Sequence, residues 1–218
     1  MSVWIKICGN TSLEDAMLAA EAGADAAGFV FAPSKRRVRI EQVQAITPQL
    51  PAHLEKIGVF VDASFEEIAA TVEACGLTGI QLHFDAPPEL AVRLRARFGA
   101  GVRIIGVLHF GGSQSISPRI VADPSLDATL VDSCVPGAAG GTGVAYDWSA
   151  AAKTIFQNAG ARRYIAAGGL TPENLAEAIR VLKPWGVDVA SGVELSPGRK
   201  DPARVRAFVA QARQARAE

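Results

Sequence analysis

Short apolar runs alternate with polar, turn-rich segments along the whole chain. The runs recur at Val3–Ile7, Asp25–Phe31, Ile57–Val61, Gly79–His83, Val102–Leu108, Ala128–Asp132, Tyr164–Ala167 and Val187–Ala190. They begin roughly every 22–35 residues, the length of one βα unit. Several runs, such as Ala26-Ala-Gly-Phe-Val-Phe31, are apolar at nearly every position rather than at alternate ones. Such a strand is covered on both faces, as in a parallel sheet flanked by helices. Eight units within 218 residues predict an α/β fold, a (β/α)8 TIM barrel forming a single domain over residues 1–218. The alternative is a doubly wound open sheet. Against it, the first strand-to-helix turn, Cys8-Gly9-Asn10-Thr11, lacks the glycine fingerprint with which such sheets bind dinucleotides.

The punctuation between runs agrees. Thr11 or Ser12, with Glu14 or Asp15 three residues on, caps a helix over 12–22 that Gly23 stops. Ser64 and Glu67 form a capping box for a helix ending near Cys75-Gly76. Further helices are expected over 40–49, from Pro87-Pro88 and from about Trp148. Thr171-Pro172 and Asp201-Pro202 each pair a cap residue with proline at the first helical position. Residues 109–126 read as a Gly/Ser-rich loop and then a weak helix.

Composition excludes several functions. Formal net charge is zero and no basic block stands out, so a nucleic-acid surface is not expected. The three cysteines, Cys8, Cys75 and Cys134, contain no CxxC pair, so neither a disulfide framework nor a zinc site is indicated. No apolar run approaches the ~18 residues of a membrane span. The expected location is the reducing cytoplasm.

In a barrel, the loops after all eight strands meet on one face, where chemistry collects. Cys8 ends the first strand and Asp132 ends the sixth. Arg36, His83, Gly140-Gly-Thr-Gly143, Gly168-Gly169 and Ser191-Gly192 fall on the same set of loops. Glycine loops after strands seven and eight suit a phosphate, because bare backbone N–H groups can approach its oxygens closely. Arg36 could grip a carboxylate through two parallel N–H bonds. Taken singly, each residue also has an ordinary structural reading: a buried thiol, a capping carboxylate, a solvated arginine, a core histidine.

The ordered set of motifs adds an identification. Lys6-Ile-Cys-Gly-Asn-Thr11, Gly28-Phe-Val-Phe31 with Ser34-Lys-Arg36, Gly58-Val-Phe-Val61, Gln81-Leu-His83, Val131-Asp-Ser133, Gly140-Gly-Thr-Gly143, Asp147-Trp148, Gly168-Gly-Leu170 with Asn174, Asp188-Val-Ala-Ser-Gly-Val-Glu194 and Pro197-Gly-Arg-Lys-Asp201 together resemble the phosphoribosylanthranilate isomerases of tryptophan biosynthesis. The resemblance runs in order from residue 3 to about 208. It implies an Amadori rearrangement of N-(5′-phosphoribosyl)anthranilate, without metal or other cofactor. It also implies Cys8 as general base, Asp132 as general acid, and Arg36 as partner of the anthranilate carboxylate. His83 and Asp188 are expected at the substrate. The backbone at Gly141, Gly143, Gly168, Gly169, Ser191 and Gly192 is expected at the phosphate. The partner is therefore a small phosphorylated aminosugar, bound by a monomer or a homodimer, with no nucleic acid or membrane involved. The chain departs from the family's usual pattern at Phe84, Gly106-Val107 with His109, and Ala190; these leave the expected acid–base pair intact and bear on the shape and selectivity of the aglycone side of the pocket.

The chemistry sets demands on the two groups. An aspartate near its ordinary ~3.9 is protonated in only about one molecule in a thousand at pH 7, and a thiol near ~8.5 is a few per cent ionised. Burial and neighbouring charges must supply the difference. Rival sugar-phosphate barrels fit less well: epimerases want metal-binding His and Asp on the strands, and the histidine-pathway isomerase wants aspartate where Cys8 stands. A non-catalytic phosphometabolite-binding protein would keep the glycine loops but has no use for Cys8 and Asp132 together.

Overall fold

A computed structural model describes residues 2–111, 123–133, 146–157 and 162–215. Its strands are β1 (Trp4–Ile7), β2 (Ala26–Val30), β3 (Glu55–Phe60), β4 (Gly79–Leu82), β5 (Arg103–Phe110), β6 (Ala128–Ser133), β7 (Tyr164–Ala166) and β8 (Gly186–Val189). All neighbours pair in parallel, and β8 pairs back onto β1, so the sheet closes into an eight-stranded barrel. Helices α1 (Leu13–Glu21), α2 (Ile40–Ile46), α3 (Phe65–Cys75), α4 (Pro88–Phe98), α5 (Trp148–Ala151) and α6 (Leu175–Leu182) lie in the crossovers, and α7 (Pro202–Gln214) follows β8. The expected (β/α)8 architecture is present.

Two layers of apolar packing explain why the strands are apolar on both faces. Side chains of one parity point into the lumen, where Trp4, Ala26, Ile57, Ile105, Val107, Ala128, Leu130 and Ile165 form a cluster of their own. Those of the other parity, such as Ile5, Ile7, Phe29 and Ile104, pack outward against the helices. Parity therefore assigns direction. Lys6 and Cys8 continue the inward row begun by Trp4, and Asp132 continues that of Ala128 and Leu130. The lower end of the barrel is sealed by Trp4 stacked on Trp185, with the Arg103 guanidinium over both rings and bidentate to Glu55. Function is left to the other end.

Several local signals act as expected. Ser12 caps α1, Ser64 and Glu67 complete the capping box of α3, Gly76 adopts the left-handed conformation, and Asp201 caps α7. Others differ. Strand β5 runs two residues past the expected end at Leu108 and carries His109 within the sheet. Helix α6 starts at Leu175, three residues later than Thr171-Pro172 suggests. The reason is Asn174. Its side-chain amide donates to Gly169 O and its Oδ1 accepts from Thr171 N, so residues 171–174 form a pinned turn before the helix. Two short strands, β9 (Glu194–Ser196) and β10 (Arg199–Lys200), form an antiparallel hairpin after β8 that the alternation does not announce.

Candidate active site

Cys8 follows β1 at the upper rim and is buried. Its backbone N–H donates to Val189 O, which ties it to β8. The sulfur needs room, and Gly28 on β2 provides it: a Cβ there would lie 2.7 Å from Cys8 Sγ and 2.9 Å from Lys6 Cε. Below the cysteine is Lys6, wholly buried, whose Nζ lies 2.8 Å from Asp188 Oδ1. Lys6 and Asp188 are register partners on β1 and β8. Burial works against the ammonium's charge, but Asp188 and the Cys8 sulfur outweigh it and hold the Lys6 pKa above the ordinary lysine range. For Cys8 the balance runs the other way. Burial raises the thiol, and the hydrogen-bonded Lys6 ammonium opposes the rise.

Asp132 stands on β6, with β7 and β8 between it and β1. Burial lifts its carboxyl to about 6, against the pull of Ser133 N–H, which donates to Oδ1 at 2.8 Å. Asp188 adds to the rise and Lys6 opposes it, so the one Lys6–Asp188 pair acts on both Cys8 and Asp132. At pH 7 a carboxyl of pKa about 6 is protonated in about one molecule in ten, roughly a hundred times more often than an unperturbed aspartate.

His83, directly after β4, faces Asp132 with Nε2 3.7 Å from Oδ2. Burial, with His109 and Lys6 nearby, lowers its pKa to about 4, so the ring is neutral at pH 7. Gln81 Nε2 donates to Nδ1 at 3.1 Å, which leaves the ring proton on Nε2, toward Asp132. His83 Nε2, Gln81 Oε1, Ser133 Oγ and Tyr146 Oη are buried without a hydrogen-bond partner. The Tyr146 hydroxyl, raised by burial and by Asp132, belongs to the same neighbourhood. Unpaired buried polar atoms are uncommon in folded proteins; here several surround one carboxylate, as expected of a site that takes a polar ligand.

Asp132, Gly168, Gly169, Asp188 and Ser191 line one small cavity of about 40 Å³. The glycine positions are sterically demanded. Gly168 has φ +75° and a Cβ there would meet Asp132 Oδ1 at 2.7 Å, while a Cβ on Gly192 would lie 1.9 Å from Leu170 O. Gly141 and Gly143 lie outside the described residues.

Arg36 arrives from the β2–α2 connection, its stem against Gly9, where an added Cβ would sit 2.6 Å from Arg36 Cδ. Glu194 holds its guanidinium as a fork, Nε donating to Oε1 at 2.8 Å and to Oε2 at 3.1 Å and Nη2 to Oε2 at 2.7 Å. Glu194 also takes Lys200 Nζ at 3.0 Å, and the same buried ammonium donates to Cys8 O at 2.5 Å. Burial works against the Glu194 charge, yet Arg36 and Lys200 hold its pKa below the ordinary range. The β9–β10 hairpin thus ties Arg36 to the backbone of Cys8.

Comparison with known proteins fits this geometry. The family model for N-(5′-phosphoribosyl)anthranilate (PRA) isomerase matches residues 5–211. The chain belongs to the N-(5′-phosphoribosyl)anthranilate isomerase family. An N-(5′-phosphoribosyl)anthranilate isomerase of Pelobacter propionicus is 43% identical over 217 residues, covering 98% of this chain and 97% of that protein. A phosphoribosyl anthranilate isomerase solved in complex with reduced 1-(o-carboxyphenylamino)-1-deoxyribulose 5-phosphate superposes with a TM-score of 0.82 at 34% identity, over 96% of this chain and 98% of its own. Monomers generated from the dimeric phosphoribosylanthranilate isomerase of Thermotoga maritima superpose with a TM-score of 0.81 at 34% identity, over the same shares of the two chains. Membership of the family makes this chain an isomerase. No helix among the described residues is long and apolar enough to cross a membrane.

The fold gathers Cys8, Asp132, Arg36, His83, Asp188, Gly168, Gly169, Ser191 and Gly192 at one end of the barrel. Asp188, expected at the substrate, is engaged by Lys6, and Arg36 by Glu194. Lys6, Glu194 and Lys200 are the residues whose parts sequence reasoning missed. They stand inside motifs it singled out, but their partners depend on strand register and on the hairpin.

Proposed function

We propose that this site carries out the rearrangement for which the family is named, on N-(5′-phosphoribosyl)anthranilate, with Asp132 as general acid and Cys8 as general base. Protonated Asp132 gives its proton to the ring oxygen as the C1′–O bond breaks, leaving an iminium. The C2′–H is then acidic, and the Cys8 thiolate removes it to give the enolamine. Tautomerisation to the ketone completes 1-(2-carboxyphenylamino)-1-deoxyribulose 5-phosphate, an isomer of the substrate. Acid–base transfers of this kind typically contribute ~10²–10⁴-fold each.

The observation that carries this reading is a buried carboxyl raised to about 6 on β6, sharing one Lys6–Asp188 ion pair with a thiol after β1. The other parts take supporting roles. Arg36, fixed by Glu194 through Nε and Nη2, turns Nη1 to the anthranilate carboxylate. His83, neutral, holds its Nε2 proton toward Asp132 and the sugar. Backbone N–H groups at Gly168, Gly169, Ser191 and Gly192, with Gly141 and Gly143, receive the phosphate. A reducing cytoplasm keeps the Cys8 sulfur available as a base.

Freshly prepared phosphoribosylanthranilate is fluorescent and loses its fluorescence on turnover. By that assay Cys8→Ser and Asp132→Asn each reduce kcat at least about a hundredfold with substrate affinity largely kept. Near-normal turnover in either variant rejects that residue's role.

A further inference from the structure

His109 takes no part in the reaction described above, yet it stands beside the acid. It lies on β5 in register with Asp132 on β6, and its ring meets the His83 ring edge-on at 5.3 Å. Three successive strands, β4 to β6, therefore each present one metal-ligating side chain at the same level of the rim. One ligand atom from each of His83, His109 and Asp132 lies within 4.8 Å of the other two. The His83–Asp132 pair is closer, at 3.7 Å. Tetrahedral zinc, with bonds of ~2.0–2.1 Å, places its ligand atoms about 3.3–3.4 Å apart. That pair needs little adjustment, and His109 stands exposed at the rim beside it.

A second observation points the same way. The His83 side chain is only 9% exposed, and its Nε2 faces the cluster without a hydrogen-bond partner. Gln81 Oε1 on the far side of the ring is also unpartnered. Turning the Gln81 amide over lets Oε1 accept from Nδ1–H and frees the Nε2 lone pair, the outer support that metal-bound histidines use.

We propose that His83, His109 and Asp132 bind one divalent transition-metal ion of the zinc type at the mouth of the barrel. Two imidazoles and a carboxylate leave a fourth position open, and imidazole donors favour zinc, cobalt or nickel over magnesium or calcium. Because the ion occupies the Asp132 carboxylate, it inhibits turnover reversibly; that consequence, unlike the binding, rests on Asp132 being the acid.

The test is titration of the chelator-treated full-length enzyme with Zn²⁺ and Co²⁺ by calorimetry and absorption. One ion per chain is expected, with cobalt d–d bands and no thiolate charge-transfer band in the near ultraviolet. His109→Ala should weaken binding at least about tenfold, remove zinc inhibition and keep metal-free turnover close to that of the unaltered enzyme, while Cys8→Ser should bind as before. Absence of saturable binding overturns the proposal. So does a thiolate band, or binding that survives His109→Ala and disappears in Cys8→Ser. Binding without inhibition upholds the metal site and counts against Asp132 as the acid.

Discussion

Replacing Lys6 with methionine tests how the two catalytic groups are coupled. In the proposed mechanism the competent form pairs the Cys8 thiolate with protonated Asp132. Between the two pKa values this form holds as many protons as the dominant one, thiol with carboxylate. Its population is therefore independent of pH there and is set by the gap between the two pKa values. Turnover should rise up to about pH 6, the value to which burial lifts Asp132, then stay flat, then fall as the thiol ionises. Lys6 hydrogen-bonds Cys8 and opposes the rise caused by burial. A unit charge at about 4 Å and an effective dielectric constant of 20 is worth about 4 kcal/mol. Asp188 acts on Cys8 in the opposite sense, and loss of Lys6 also raises Asp132 somewhat. The net effect is about 1.4–2.8 kcal/mol, a ten- to hundredfold lower plateau. The upper limb should move to higher pH at the same time. The partly buried Asp188 left behind destabilises the fold by up to about 3 kcal/mol, so urea unfolding must show that the variant is folded under assay conditions. The double variant Lys6→Met/Asp188→Asn removes both charges and should regain most of that stability while remaining slower than the unaltered enzyme. The assay is kcat against pH by loss of substrate fluorescence. A lower plateau with an unmoved upper limb would refute the electrostatic role of Lys6, as would an unchanged plateau.

Two further outcomes follow from the site. Asp132 binds its proton more tightly in the folded than in the unfolded chain, so its contribution to stability is full below about pH 4 and is lost as pH rises through about 6. Asp132→Asn keeps an oxygen for Ser133 N–H, so it should be folded and inactive, and more stable at pH 7 by about 3 kcal/mol, an advantage that shrinks to a few tenths of that near pH 4 in pH-dependent urea unfolding; an advantage of the same size at both pH values contradicts the role of burial. Arg36→Ala should raise KM with a smaller change in kcat, and Glu194→Gln should do so more weakly by loosening the guanidinium, as steady-state kinetics would show; an unaltered KM in Arg36→Ala removes the carboxylate contact.

The strands were legible because burial on both faces leaves apolar residues at every position, as in Ala26–Val30. The positions of Cys8 and Asp132 at the rim were legible because each stands at a strand end. Register was not. Lys6 finds Asp188 across 182 residues and Lys200 finds Cys8 across 192, contacts that exist only once the barrel has closed. In the sequence Lys6 is a charged residue among apolar neighbours, with nothing to show that a carboxylate awaits it. Thr171-Pro172 pointed to too early a helix start for a related reason, since the Asn174 side chain pins residues 171–174 into a turn before α6. His109 ends an apolar run, and its proximity to His83 and Asp132 follows from three adjacent strands rather than from any ligand spacing along the chain.

If a thiol and a carboxyl group work together on one sugar, a bound ligand must lie between them. A crystal structure of this enzyme with reduced 1-(o-carboxyphenylamino)-1-deoxyribulose 5-phosphate tests it most directly. The phosphate is expected on the backbone of Gly168, Gly169, Ser191 and Gly192, with Cys8 Sγ and an Asp132 oxygen on either side of the C1′–C2′ unit. The Asp132 oxygen should lie within about 2.6–3.2 Å of a sugar oxygen or the amine nitrogen. A ligand anchored elsewhere, or one whose reacting carbons lie beyond the reach of either side chain, contradicts it.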